Sequence, residues 1–156
     1  MTAGAARQNR VLLIGLKSRT CAFPLGQVIE TMRPLPVEAL ADAPPFVKGV
    51  AIIRGVPTPV VDLGVVLGAP GESPQRFVTI RSGQRQVALS VNAVLGVHDL
   101  DSTTALGELP PLLQNASQEF VAMIGTLDEK LLWVLRSGWE LPDKVWRAMT
   151  VEEKAS

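Results

Sequence analysis

The sequence predicts a mainly β protein, and three observations support this. Short apolar runs rich in Val, Ile and Leu recur along the chain, and each run is too short for a typical helix. Thirteen Gly and twelve Pro residues punctuate the runs, with polar segments of hairpin-loop length between them. Hydrophobic residues make up 47% and charged residues 19% of the 156 residues, which is enough apolar material for a packed core.

Branched apolar side chains suit a pleated sheet, so these runs are predicted to be strands. They are 11–16, 21–25, 50–53, 59–63, 77–80, 87–91, 120–124 and 131–135, with hairpin loops at 17–20, 82–86 and 126–130. Many short strands joined by turns indicate a barrel or a sandwich. Two small barrels, each closed on itself so that no sheet edge is exposed, would account for this layout.

Helix is predicted in three short places only. Residues 25–30 suggest one turn, and residues 62–67 suggest another, with Asp62 as its N-cap. The segment 143–149 follows Pro142 and predicts a short terminal helix with its apolar side chains facing inward. After residue 150 the chain is expected to fray.

Composition shifts predict the domain organisation. A flexible N-terminus is expected at 1–10, one domain at 11–141, and a C-terminal helix and tail at 142–156. Within the domain, the Gly- and Pro-rich stretch 68–75 reads as a linker between two strand-rich parts. A second irregular stretch, 99–118, is expected to cross back toward the first part.

Charge and composition disfavour several classes of protein. Fifteen basic residues balance fifteen acidic ones, so the excess of positive charge that nucleic-acid binding uses is missing. No charge-free apolar window is long enough for a membrane-spanning helix, and the polar start lacks the apolar region of a signal peptide. Cys21 is the single cysteine, which excludes an intrachain disulfide and fits a reducing compartment. The sequence therefore favours a cytoplasmic protein without direct membrane contact.

Residues able to support catalysis are scarce. His98 is the only histidine, and Cys21 lies in an apolar run typical of a buried, inert thiol. One His and one Cys do not make a usual zinc site, and phosphate-binding glycine motifs are absent. We therefore expect no cofactor, no metal and no enzymatic activity, and we interpret the chain as a binding module. A small-barrel enzyme that uses Cys21, His98 or a carboxylate is the weaker alternative.

The segment 43–63 is the most informative part of the sequence. It reads Ala-Pro-Pro-Phe-Val-Lys-Gly-Val-Ala-Ile-Ile-Arg-Gly-Val-Pro-Thr-Pro-Val-Val-Asp-Leu. Gly49 permits a kink or a close backbone approach within a strand. Arg54 is predicted at the tip of a hairpin, followed by a short connection at 56–59. Because Pro57 and Pro59 cannot donate ladder hydrogen bonds, the return strand is expected to begin at a sheet edge.

This segment closely resembles the signature of the CheW family, which usually reads Ala-Pro-x-Phe/Tyr-Ile-x-Gly-Val-x-Asn-Leu-Arg-Gly-x-Val-x-Pro-Val-Ile-Asp-Leu. The flanking segments 21–30, 90–94, 124–125 and 131–135 are similar to other elements of the family, so the resemblance covers about 11–141. It departs from the family pattern at Gly64, Ile52, Asn92 and Cys21.

The resemblance implies two five-stranded SH3-like β-barrel subdomains, intertwined, with a short C-terminal helix. It also implies a non-catalytic adaptor, without cofactor, that couples the cytoplasmic tip of a chemoreceptor (a methyl-accepting chemotaxis protein) to the regulatory domain of a CheA-type histidine kinase. Such an adaptor is cytoplasmic and lies at receptor arrays beneath the inner membrane. Family positions linked to receptor contact correspond to Val28, Glu30, Gly49, Arg54 and Val94. Kinase contact is expected mainly from the second barrel.

Each of these residues also has a structural interpretation. Val28 and Val94 suit a core, Glu30 and Arg54 suit a surface ion pair, and Gly49 suits backbone geometry alone. The departures from the family pattern leave the pathway open as well. An adaptor of a non-flagellar chemosensory pathway, one that controls surface motility or gene expression, is the closest alternative function.

Overall fold

The chain folds into two five-stranded sheets and a C-terminal helix in this computed structural model, which describes residues 10–68, 75–100, 120–138 and 140–155. Side chains are described up to residue 150. The strands are β1 (Arg10–Gly15), β2 (Thr20–Pro24), β3 (Val28–Met32), β4 (Val47–Ile53), β5 (Val56–Asp62), β6 (Arg76–Ser82), β7 (Arg85–Val91), β8 (Ala93–Asp99), β9 (Val121–Leu127) and β10 (Lys130–Leu135). The helices are α1 (Leu63–Val66) and α2 (Asp143–Ala155), with one 3₁₀ turn at Leu25–Gln27.

The two sheets are interleaved along the chain. The first sheet has the order β8-β1-β2-β10-β9, and the second has the order β3-β6-β7-β5-β4. The chain passes from the first sheet to the second through the 3₁₀ turn, and it returns at Asn92 between β7 and β8. One parallel pair lies inside each sheet, β2 with β10 and β5 with β7. The first sheet is therefore complete only after the second has been traversed.

The predicted linker at 68–75 does not separate the two sheets. Residues 69–74 lie outside the described part of the chain, but β5 before them and β6 after them belong to the same sheet. Most of the predicted crossing at 99–118 also lies outside the described residues, and the flanking strands β8 and β9 share the first sheet. The predicted flexible N-terminus falls almost entirely outside the described residues.

All eight predicted strands are present, but two strands were missed. The missed strands, β3 and β8, are edge strands, and each pairs with a single described neighbour, β6 and β1 respectively. An edge strand leaves part of its surface in solvent, so its sequence does not read as an unbroken apolar run. In the segment 25–30, only the first three residues form the predicted turn, because β3 begins at Val28.

The two predicted α-helices are confirmed. The backbone N–H of Val65 donates to Oδ1 of Asp62 at 3.2 Å, which is the N-cap predicted for α1. Helix α2 begins at Asp143 and buries Val145 and Met149. It continues to Ala155, beyond the predicted end at residue 149.

The second sheet is strongly curled. Its outer strands β3 and β4 would lie roughly 19 Å apart if the five strands were flat, at about 4.8 Å for each spacing. Yet Glu30 on β3 and Arg54, directly after β4, form hydrogen bonds of 2.8 Å. The two edges therefore approach each other at this corner. No backbone ladder joins the outer strands of either sheet within the described residues, so the predicted closure into barrels is not confirmed.

Both sheets bury side chains on their two faces, which explains the unbroken apolar runs. Along β6, Phe77 packs in a small cluster within the second sheet, while Val78 faces a larger cluster shared by both sheets. Along β2, Ala22 packs in a small cluster of the first sheet, while Phe23 faces the shared cluster. Helix α2 adds Val145 to the shared cluster. Each sheet thus has its own small core and contributes to a common one.

Candidate functional site

The hairpin between β4 and β5 presents Arg54 at its tip, as the sequence predicts. Ile53 pairs with Val56, so the turn consists of Arg54 and Gly55 alone, and the predicted connection at 56–59 belongs to β5 instead. Both turn residues have positive φ, 50° and 79°. This is typical of the type I′ turn, whose twist matches that of the flanking strands.

The two prolines of β5 lie in the part of the strand that has one neighbour. Pro57 and Pro59 pair with β4, while β7 joins the ladder only from Val60 onward. A proline has no N–H to offer to a second neighbour, so this half of the strand behaves as an edge. The prediction that the return strand begins at an edge is confirmed, although β5 becomes an inner strand further along.

Glu30 and Arg54 form a bidentate ion pair. Nε and Nη2 of Arg54 donate to Oε1 and Oε2 of Glu30, both at 2.8 Å. The Glu30 side chain is 27% exposed and that of Arg54 is 78% exposed. These hydrogen bonds hold the pKa of Glu30 below its ordinary value of 4.5 and raise the pKa of Arg54. Both groups are therefore charged at neutral pH, and most of the guanidinium stays accessible.

Hydrogen bonds to the neighbouring strand β6 hold the backbone of Glu30 in place. Its backbone N–H donates to Oγ1 of Thr79 at 3.2 Å, and the Thr79 hydroxyl donates to the carbonyl oxygen of Glu30 at 3.2 Å. Thr79 is fully buried on β6. The carboxylate thus projects from a rigid strand, which orients the Arg54 side chain as well.

Three exposed apolar residues lie within two positions of Glu30 or Arg54 in the sequence. Ile29 is 45% exposed, Ile52 is 61% exposed and Val56 is 48% exposed. Ile29 and Val56 line one groove together with Trp146 of α2. We call the set Ile29, Glu30, Ile52, Arg54 and Val56 the hairpin surface, in which Ile52 and Val56 point to opposite faces of the hairpin. Exposed apolar groups grouped with a charged pair are typical of a protein interface.

Sequence reasoning did not single out the apolar members of the hairpin surface. A signal was present at Ile52, where an apolar residue replaces the Asn usual in the resembling family. Ile52 lies between buried Ala51 and Ile53 in β4, so strand alternation points it to the opposite face. That signal could have identified Ile52, but not the matching exposure of Ile29.

The other predicted contact residues are more deeply placed. Gly49 is buried in β4, while Val28 and Val94 are half-buried and pack against the shared core cluster. Of the five predicted contact residues, therefore, Glu30 and Arg54 are joined directly by hydrogen bonds. The other three, Val28, Gly49 and Val94, are partly or fully buried. Their roles in binding stay predictions.

A second exposed apolar set lies on the first sheet. Leu95 is 54% exposed and Val97 is 49% exposed, and both belong to β8. Among the described residues, β8 pairs only with β1, so its outer edge carries backbone groups without a ladder partner in this part of the chain. Unpaired strand edges are sites at which another chain can add.

The structure does not bring Cys21 and His98 together. Cys21 pairs with Ile14 of β1, while His98 pairs with Val11 on the other side of that strand. Two strand spacings and three residues of offset separate them, which excludes a hydrogen-bonded dyad. Within the described residues, no group of three or more His, Cys, Asp or Glu side chains is placed to hold a metal ion.

Cys21 is expected to lower stability at high pH. Burial raises the pKa of its thiol from 9.0 to about 12, with a smaller opposing effect of Arg19. Below pH 9.0 the thiol is neutral in both states; above it, only the unfolded thiol ionises. The unfolded state then binds fewer protons, so the free energy of unfolding falls by about 1.4 kcal/mol per pH unit. Urea titrations at pH 9 to 11 should show this fall for the wild type relative to Cys21→Ala, whereas a constant difference would contradict it.

None of the helices in the described residues combines the length and the apolar character needed to cross a membrane.

Comparisons with known proteins agree on one family. A family model described as the CheW-like domain matches residues 10–138. A chemotaxis protein CheW from Klebsiella aerogenes is 33% identical over 101 residues, which is 62% of this chain and 59% of that protein. The chain thus aligns with about three fifths of the length of this curated relative. The crystal structure of the scaffolding protein TtCheW from Thermoanaerobacter tengcongensis matches with a TM-score of 0.70 and 21% identity, covering 83% of this chain and 89% of the other.

Proposed function

The chain belongs to the CheW-like domain family, and from this we propose that it is a non-catalytic adaptor of chemosensory signalling. It couples the cytoplasmic tip of a chemoreceptor to the regulatory domain of a CheA-type histidine kinase. The single observation that carries the proposal is the family match over residues 10–138. In this proposal the adaptor is cytoplasmic, uses no cofactor and is held at receptor arrays through its partners alone. In this proposal its two five-stranded sheets correspond to the two SH3-like barrels of the family.

We propose that the hairpin surface receives the receptor. A helical receptor tip can place apolar side chains against Ile29 and Val56, which line one groove, while a polar group on it contacts the exposed side of Arg54. Both hydrogen bonds to Glu30 use Nε and Nη2, which leaves Nη1 available to the partner. Because Glu30 orients the guanidinium, less side-chain freedom is lost when the receptor binds.

Val28, Gly49 and Val94 support this interface in different ways. Val28 and Val94 are half-buried, so each has part of its surface in the shared core and part available for contact. Gly49 is buried and positions β4 rather than contacting the partner. The adaptor acts by fixing the geometry of two other macromolecules, and no step in this mechanism requires turnover.

We propose that the kinase uses a different surface, on β8, which follows the predicted linker at 68–75 and so belongs to the second of the two strand-rich parts, where kinase contact is expected. The exposed edge of β8, with Leu95 and Val97, is suited to strand addition by a β-rich regulatory domain. It belongs to the first sheet, whereas the hairpin surface belongs to the second. Two separate surfaces allow both partners to bind at once, and tethering to one raises the effective concentration for the other.

The test of the proposed function is Arg54→Glu. We expect capture of a chemoreceptor cytoplasmic fragment to fall at least tenfold, while capture of the kinase regulatory domain is unchanged. The thermal midpoint should stay close to that of the wild type, because an exposed ion pair contributes little to stability. Binding is measured by titration calorimetry with each purified partner, and stability by thermal unfolding followed by circular dichroism.

A charge-swap variant tests whether the receptor recognises the positive charge at position 54 or only the presence of an ion pair. The double variant Glu30→Arg/Arg54→Glu keeps an ion pair between the sheet edges but reverses its direction. If the receptor reads the positive charge at position 54, the swap does not restore capture, and this is the expected result. If Arg54→Glu alone captures the receptor fragment as well as the wild type does, the receptor does not bind at the hairpin surface. Failure of the wild type to bind any receptor fragment or kinase domain would overturn the proposed function.

A further inference from the structure

Two arginines, Arg33 and Arg76, line the same groove at one end of the second sheet. In the ladder between β3 and β6, the last pair at this end is Met32 with Phe77. Arg33 directly follows Met32, and Arg76 directly precedes Phe77, so both residues lie where the two strands leave this ladder. Because both side chains face one groove, their like charges repel each other.

The repulsion between these arginines is not relieved by the rest of the described chain. Both are exposed, and neither forms an ion pair with a carboxylate of the described residues. The nearest acidic residue along β3, Glu30, is already engaged by Arg54. By contrast Arg10, at the start of β1 in the first sheet, is paired with Asp99 at 3.3 Å. Among the residues that the structure describes, the guanidinium groups of Arg33 and Arg76 are therefore not neutralised.

These arginines line a groove of about 550 Å³ whose other walls suit an anion. Gln75 and Asn92 contribute side-chain amides, which can donate hydrogen bonds, and none of the described residues that line the groove is acidic. Pro34, Ala93 and Val94 complete the lining. Val94 is one of the positions at which receptor contact is expected, so the groove includes one residue of the proposed receptor interface.

We propose that this groove binds a carboxylate side chain of the receptor tip. A carboxylate can accept two parallel hydrogen bonds from one guanidinium while the second guanidinium adds its charge. Its arrival would also remove the repulsion between Arg33 and Arg76. This inference rests on the proposed function, and it adds a chemical requirement to it: the receptor must present an acidic residue to this groove in addition to the contacts at the hairpin surface.

The test compares the wild type with Arg33→Gln/Arg76→Gln for binding to a purified receptor cytoplasmic fragment. We expect the Kd of the double variant to rise about tenfold at low salt. The difference should shrink as salt is raised, because exposed charges are screened. The matched control is Arg136→Gln/Arg147→Gln, which removes the same charge from two exposed positions elsewhere and should leave the Kd within about twofold.

A second measurement identifies the carboxylate. Acidic residues of the receptor tip are changed to Gln one at a time, and each is titrated against the wild type and the double variant. One receptor variant should bind the wild type about tenfold more weakly and yet show no further loss against Arg33→Gln/Arg76→Gln, since the two changes remove the same interaction.

The outcomes distinguish this inference from the proposed function. If Arg54→Glu loses receptor capture but the double variant binds like the wild type, the groove is not part of the interface and the inference alone is overturned. The inference alone is also overturned if the double variant no longer binds the kinase domain but still binds the receptor. It is likewise overturned if the loss of affinity from every receptor substitution adds fully to the loss from the double variant. If the wild type binds no receptor fragment at all, the inference falls together with the proposed function.

Discussion

Replacing Gly49 by Ala is expected to destabilise the protein by about 3 kcal/mol or more, a large share of the roughly 5–15 kcal/mol that stabilises a typical domain. Gly49 has φ of 147°, which side chains rarely adopt. A methyl group there would overlap the carbonyl oxygen of Glu38 and lie within 2.9 Å of Cα of Ala39. Both are backbone atoms, so neither can move aside as a flexible side chain would.

The crowding at Gly49 arises from a segment that covers the outer edge of β4. The backbone N–H of Glu38 donates to the carbonyl oxygen of Val50 at 2.9 Å, and the N–H of Val50 donates to that of Glu38 at 2.8 Å. An alanine at position 49 would push Glu38 away and break both hydrogen bonds. The exposed edge of β4 would then lack ladder partners, which favours aggregation.

The matched control for this prediction is in the same hairpin. Gly55 also has positive φ, 79°, but an added Cβ would meet nothing within 4 Å. Gly55→Ala therefore introduces backbone strain alone, about 1 kcal/mol. Urea unfolding of both variants measures the two free energies. Equal losses would show that the close approach of Glu38 to Gly49 has no energetic role.

The stability result bears on the predicted role of Gly49 in receptor contact. Because Gly49 is buried, we expect a side chain there to reduce receptor binding by displacing β4 and with it the tip that carries Arg54. Arg54→Glu, by contrast, is expected to reduce binding without loss of stability. The two substitutions would give the same binding phenotype for different physical reasons, and only a stability measurement distinguishes them.

The sequence was most informative where a strand is buried on both faces. Strands such as β6 and β7 read as continuous apolar runs because one face packs within the sheet and the other in the shared core. Strands β3 and β8 gave no such run, since an edge strand carries polar and exposed residues. The assignment of strands to sheets could not be read from the runs either, because it depends on long-range pairing such as that of β2 with β10.

The candidate site was predictable in part. A motif with Arg54 in a tight turn identified the hairpin tip, and the resemblance identified Glu30. Their contact depends on the curl of the sheet, which brings strands from opposite edges together, and no local pattern encodes that. The groove that Arg33 and Arg76 share depends on the pairing of β3 with β6 in the same way. Residues that lie far apart in the sequence and are brought together by sheet curvature or strand pairing could therefore be identified only in the folded structure.

A substitution in the small core of the second sheet is expected to loosen the first sheet equally. Phe77 is 1% exposed and packs with Ile53 and Val60 within the second sheet. Phe77→Ala should lower the free energy of unfolding by about 3–5 kcal/mol, through lost burial and the cavity left behind. Hydrogen exchange should show this reduction in the free energy of opening for the slowest amides of β6 and β7, which lie beside the cavity. The slowest amides of β10 in the first sheet should show a reduction of the same size.

The reason is that the first sheet cannot stand alone in this topology. Its strands β1 and β2 are separated from β8 and β10 by the whole of the second sheet, so if that segment unfolds, the pairing of the first sheet must close a long flexible loop at an entropic cost. Unfolding the second sheet would also expose its half of the shared cluster, including the contacts that cover Phe23 and Trp133. Phe23→Ala serves as the reciprocal control, with the same expected loss at β6 and β7. Protection lost in one sheet and retained in the other would show instead that the two sheets unfold independently and that the shared cluster does not couple them.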